Sequence, residues 1–194
     1  MDSLNHLRTS QRRAGTSSAL LYAAILLCLI TGLLRQATAA DEQSLEYQVK
    51  AAFLLNFTKF TEWPGSVFPS PTSPFTICIM GTDPFGSSLE QLTRGEAVNG
   101  HRIAIERIKR GSRPQACQVL FMSRVEKGSG TVLADLGSGV LTVGEGDGFL
   151  QDGGMISFVI ENRRTRFDVN PTTAEAAGLK LSSRLLSVAR SVKP

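Results

Sequence analysis

Histidine is nearly missing from this chain. Only two occur in 194 residues, His6 and His101, and His6 stands in a leader-like N-terminus. A Ser-His-Asp triad would have to use His101, and no G-x-S-x-G elbow accompanies it. A strand-edge histidine with a surface role is the plainer reading. A histidine-rich metal centre is excluded for the rest of the chain. Cysteine is scarce too, with three in all, Cys28, Cys78 and Cys117, too few soft ligands for zinc. Charge of one sign is also missing. Residues 1–40 carry four of the 21 basic side chains and one of the 17 acidic ones, so the remainder stands at +1. The basic excess belongs to the leader, and no aromatic-interleaved basic patch points to nucleic acid.

What is present begins with an export signal. The n-region is basic and ends in Arg12-Arg13, the apolar run covers Ser18–Leu34, and Ala37-Thr38-Ala39 supplies the small-x-small end. Cleavage is expected after Ala39 or Ala40, giving a leader of residues 1–40 and a domain of residues 41–194, located in the periplasm. A retained membrane anchor is the alternative, because the apolar run is near the lower limit for spanning. Cys28 leaves with the leader. Cys78 and Cys117 then remain in an oxidising compartment, where one bridge is expected. The alternative is two buried thiols that never meet.

The rest of the chain is organised around residues 47–64, YQVKAAFLLNFTKFTEWP. Val49, Phe53, Phe57, Phe60 and Trp63 form a stripe of helical spacing, with Lys50, Lys59 and Glu62 off it. Pro64 ends the helix. Its aromatic side needs a partner surface, either the following sheet or another protein.

After a Pro/Ser-rich connector, Pro64–Pro74, the apolar run Phe75–Gly81 reads as a strand buried on both faces. Asp83-Pro84 is expected to open a helix reaching about Thr93. Ile103, Ile105 and Ile108 alternate with polar residues, as in a half-buried strand near an edge. Cys117–Ser123 and Gly139–Val143 are further buried strands, with a helix over Val125–Leu136 between them. Gly144–Gly154 is irregular. MISFVIEN and RTRFDVN form a hairpin turning near Asn162-Arg163. Helices follow over Pro171–Gly178 and Ser182–Val192. The order implies a single compact α/β domain with a mixed, mostly parallel sheet flanked by helices, preceded by the N-terminal amphipathic helix.

Chemistry is hard to find in it. Gly128-Ser129-Gly130 and Gly144–Gly148 match neither dinucleotide nor Walker spacing. Glu145, Asp147 and Asp152 do not follow an EF-hand loop. Glu161 and Asp168 lack a third group to tune them. Arg163, Arg164 and Arg166 cluster at the hairpin tip, where they form a solvated face or read an acidic partner. No catalytic residue, metal or cofactor is expected, and a binding protein is the better class.

At this point YQVKAAFLLNFTKFTEWP, FTICIMGTDPFG, CQVLFMS, GGMISFVIEN, RFDVN and SSRLLSVA together resemble the YfiR-like family, in its order, from Tyr47 to Ala189. The resemblance implies a compact α/β periplasmic protein that dimerises. It implies a repressor that binds the periplasmic domain of an inner-membrane diguanylate cyclase, lowering cyclic di-GMP and biofilm formation. An OmpA-like outer-membrane lipoprotein is the implied sequestering partner. The bridge carried over is Cys78–Cys117, a structural bridge and a candidate redox sensor. A second bridge of some members has no cysteines here. Leu185, Leu186 and Val188, with Arg163, Arg164 and Arg166 as a charged rim, are the expected contact residues. The competing reading of Leu185 and Leu186 is that they cap the core. The other functional class is a binding module for a different envelope sensor, such as a histidine kinase, or for a small ligand.

Overall fold

The computed structural model describes residues 22, 43–123, 129–146 and 148–193. The expected leader, its cleavage at Ala39 or Ala40 and the domain start at residue 41 lie outside the described residues. Two compact units divide the chain, Met1–Ser44 and Leu45–Pro194, and the second carries the fold.

Among the described residues, α1 spans 43–59. The elements that follow are β1 (Thr61–Glu62), β2 (Phe75–Met80), α2 (Ser88–Thr93), β3 (Ala97–Val98), β4 (His101–Ile108), β5 (Val119–Met122) and α3 (Ser129–Ala134). Then come β6 (Leu141–Glu145), β7 (Ile156–Glu161), β8 (Arg164–Val169), α4 (Pro171–Ala176), β9 (Lys180–Leu181), α5 (Ser183–Val188) and β10 (Ser191–Val192). Eight strands form one sheet in the order β10-β8-β7-β6-β5-β2-β4-β3, and β1 pairs with β9 in a second. Only β7–β8 and β3–β4 are antiparallel pairs within the large sheet. The mixed, mostly parallel sheet is therefore the observed one.

Strand alternation divides the core in two. Ile77 and Ile79 of β2, with Val119 and Phe121 of β5, enter the larger cluster, which α1 covers with Ala51, Leu54 and Phe57. Cys78, Met80, Leu120 and Met122 enter a smaller cluster with Phe149 and Leu150, against which Val132 and Leu133 of α3 pack. α1 reaches the far end of the sheet through aromatic contacts. Phe57 lies 5.6 Å from Phe158 and 4.9 Å from Phe167, and Phe53 lies 5.5 Å from Phe167. Stacked and edge-on pairs of this kind contribute beyond the area they bury.

Several local expectations change. The first helix stops at residue 59, and Thr61–Glu62 is extended. Trp63 precedes a proline and is barred from helical geometry, so the chain leaves the helix early and pairs with β9. Val49, expected in the buried stripe, is 39% exposed, whereas Lys50 is 4% exposed. α2 starts later than Asp83-Pro84. The Asp83 carboxylate accepts the Phe85 N–H at 2.8 Å and the Arg107 Nε–H at 2.8 Å instead of capping a helix. Glu90 and Asp83 together hold the Arg107 guanidinium charged, raising its pKa further, with the bond to Glu90 the larger cause. α3 ends at Ala134, short of the expected Leu136, and residues 124–128 at the start of that expected helix lie outside those described. The last helix ends at Val188, and Ser191–Val192 joins the sheet as β10, parallel to β8.

Cys78 and Cys117 are bonded, with their Cα atoms 5.8 Å apart. They do not occupy equivalent strand positions. Cys78 is paired in register with Leu120, and Cys117 precedes β5 after Ala116, whose φ is 55°. The bridge ties the middle of β2 to the entrance of β5. The connector between β1 and β2 is pinned as well. Gln118 receives the Thr76 N–H at 2.7 Å and donates to the Val67 carbonyl at 3.3 Å. His101 stacks on Phe68 with ring centres 3.8 Å apart. Its Nδ1 is 2.6 Å from the Ser73 carbonyl, which only accepts, so Nδ1 carries the proton.

Candidate partner-binding edge

The β7–β8 hairpin begins from its turn. Asn162 and Arg163 have φ of 49° and 60°. Positive φ at both central residues is the twist that joins two antiparallel strands through a two-residue loop. Asparagine suits this geometry. Arginine does not, and glycine is the usual occupant of its position. The turn thus holds a basic side chain at the tip at some conformational cost. Arg163, Arg164 and Arg166 are all exposed.

The opposite end of β8 is neutralised internally. Asp168 is 3% exposed, and the Arg190 and Lys193 side chains converge on it from the segment around β10. The hydrogen bond from Arg190 holds its carboxyl below the usual carboxylate range, Lys193 acts in the same direction, and burial opposes both. Glu161 lies 3.8 Å from Arg190 at the end of β7.

A second charged group sits where α1 meets the carboxyl ends of β6 and β7. Lys50 donates to Glu145 at 2.7 Å and also bonds Glu46 one helical turn away. Its ammonium lies 4.4 Å from the Tyr47 ring centre, and the Tyr47 hydroxyl donates to Glu145 at 3.3 Å. With Phe158 and Ile160 these residues wall an open cleft of about 490 Å³. The cation that periodicity assigns to solvent is thus the tie between α1 and β6.

The expected contact residues separate. Leu185 is 2% exposed and belongs to the core. Its side chain is not free to meet a partner, because it is packed into the larger cluster. Leu186 is partly buried against the same cluster. Val188 is 59% exposed. Ile160 of β7 and Val192 of β10 are exposed as well, and neither stands out from its sequence context. The three arginines and Ile160 lie at the turn end of the β7–β8 hairpin, and Val192 of β10 lies at the other end of β8, along the same edge of the sheet. His101 and Asp168 are not brought together, since four strands separate β4 from β8. Glu145 is engaged by Lys50, Asp147 lies outside the described residues, and no metal-like cluster of His, Cys, Asp and Glu occurs among the described residues.

The YfiR/HmsC-like family model matches residues 47–190. The chain belongs to the YfiR/HmsC-like family. The matched span starts on α1, at the tyrosine that contacts Lys50 and Glu145, and ends at Arg190, the partner of Asp168. A search of curated proteins finds no relative that matches the chain.

Proposed function

We propose that this protein is an exported regulatory binding protein, and that it represses an inner-membrane diguanylate cyclase by binding its periplasmic domain. Membership of the YfiR/HmsC-like family over residues 47–190 carries the reading. The leader, with cleavage after Ala39 or Ala40, and the Cys78–Cys117 bridge support export to the periplasm. Repression requires only tighter binding to the inactive state of the cyclase, not a catalytic group. The contact surface is the β8 end of the sheet, with Val188, Val192 and Ile160 as apolar contacts and Arg163, Arg164 and Arg166 as its charged rim. An OmpA-like outer-membrane lipoprotein would compete for the free protein, and the repressor would act as a homodimer.

Capture from envelope extract with the exported protein tests the reading. A membrane diguanylate cyclase is expected in the wild-type fraction and lost with Arg164→Glu/Arg166→Glu. Recovery of a histidine kinase, with no cyclase, would replace the pathway while keeping the binding class.

A further inference from the structure

We infer that the open edge of β8 binds its partner by strand addition, and that the segment it accepts is extended and acidic. The inference rests on the proposed contact surface and adds the mode and chemistry of recognition.

The register supplies the edge. β10 pairs only with Asp168 and Val169 of β8. The Arg190 N–H extends this cover to the Phe167 carbonyl at 2.8 Å, and the Lys193 N–H reaches the Val169 carbonyl at 2.8 Å. In an antiparallel strand both main-chain groups of a residue point to the same side, alternating along the strand. Phe167 and Val169 face β10, so Thr165 presents its N–H and C=O in the same direction, beyond the reach of β10. One more strand therefore fits beside Arg164–Arg166, in line with the stretch that β10 occupies.

The flanking side chains select the occupant. Arg164 and Arg166 lie on either side of Thr165 and are exposed, and Arg163 stands at the turn. None of the three is engaged in an ion pair among the described residues. A second copy would bring like charges opposite each other across the new ladder, which is destabilising. Edge arginines thus act against self-pairing while favouring a strand with carboxylates at alternate positions. On the face of Thr165, its cross-strand neighbour is Ile160, which is 53% exposed. That residue offers an apolar contact for the side chains between the carboxylates. Main-chain bonds supply the affinity and the alternate side chains the selectivity.

The test uses protein purified from cells expressing the full chain. The probe is a blocked seven-residue peptide alternating glutamate and valine. Its controls are the lysine counterpart and an equally acidic peptide with a central proline. The alternating acidic peptide is expected to slow hydrogen exchange of the Thr165 amide at least about ten-fold, and both controls to leave it unchanged. Arg164→Glu/Arg166→Glu is expected to weaken the peptide about ten-fold. Thr165→Pro removes the outward N–H, which edge strands tolerate, and is expected to abolish binding. Acidic peptide bound without protection of Thr165 overturns strand addition and leaves a purely electrostatic contact. Protection that rises with the concentration of the protein alone overturns it in favour of a second copy. If the peptide results hold while cyclase capture fails, the pathway is wrong and the edge is not.

Discussion

Arg190 grips Asp168 with two parallel bonds, Nε to Oδ1 at 2.8 Å and Nη2 to Oδ2 at 2.6 Å. Lys193 adds a third contact at 3.2 Å. The fork ties the lead-in to β10 onto β8, so the edge strand is held by side chains as well as by its ladder. Because the carboxyl pKa is lowered from 3.8, the stabilisation is fully present above that value. It is lost as pH falls through the lower folded value. Arg190→Ala is expected to cost about 2 kcal/mol, since Lys193 still serves the carboxylate. The acid unfolding transition, followed by circular dichroism, should move to higher pH in the variant. An unchanged transition would remove Asp168 from the account.

Lys50 is the tie between α1 and the end of β6. Lys50→Met keeps the aliphatic stem but leaves Glu145 facing a buried apolar group. A loss of about 3 kcal/mol is expected, read as a lower urea midpoint. Adding Glu145→Gln should recover part of it, because the uncompensated carboxylate is then gone.

Leu185, Leu186 and Val188 separate core from surface within one short helix. Leu185→Ala should cost about 2–5 kcal/mol by leaving a cavity. Leu186→Asp mixes both effects, since Leu186 packs partly on the core. Val188→Asp is the clean probe. Its unfolding free energy should match wild type within the roughly 0.5 kcal/mol usual for surface changes, and cyclase capture should fall. Val188→Asp with full capture would place the contact elsewhere.

The Cys78–Cys117 bridge closes a loop of sequence separation 39. The chain-entropy model gives roughly 4 kcal/mol of stabilisation for such a loop. Cys78→Ser/Cys117→Ser should therefore unfold at markedly lower denaturant, and reductant should lower the wild-type midpoint toward it. If reduction changes capture of the partner while the domain stays folded, the bridge also has a signalling role.

Arg163 holds φ of 60°. Arg163→Gly should raise stability by about 1 kcal/mol, since the left-handed region disfavours a residue with a side chain by roughly that amount. The same change removes one of the three tip charges. A variant that is more stable but binds its partner more weakly would show that the strained arginine is kept for contact.

Much of the scaffold was legible because local rules and tertiary structure agree there. Phe75–Met80 and Val119–Met122 are apolar runs of strand length with buried neighbours on both faces. Asn162-Arg163 marks the hairpin, and Asn170-Pro171 marks α4, where the Asn170 side chain accepts the Thr173 N–H at 3.0 Å. The failures have a common cause. Lys50 lies off the apolar stripe, and its neutralising partner, Glu145, is 95 residues away, beyond the reach of local periodicity. Residues 189–192 continue a helical apolar pattern, yet β8 offers them an unpaired ladder, and pairing outweighs propensity. The apolar run puts Cys117 inside a strand, because spacing alone does not show that Ala116 turns the chain just before it. Of the candidate surface, the arginines were visible as a charge cluster. Ile160 and Val192 were not, since an apolar residue becomes informative only when its exposure is known.

The aromatic contacts of Phe53 and Phe57 with Phe158 and Phe167 join the beginning of the domain to a hairpin made about a hundred residues later. The larger cluster cannot close until that hairpin exists, and β10 completes the sheet later still. Such long-range closure slows folding. A nascent chain therefore stays open until synthesis is nearly finished, as the proposed export of an unfolded polypeptide would require.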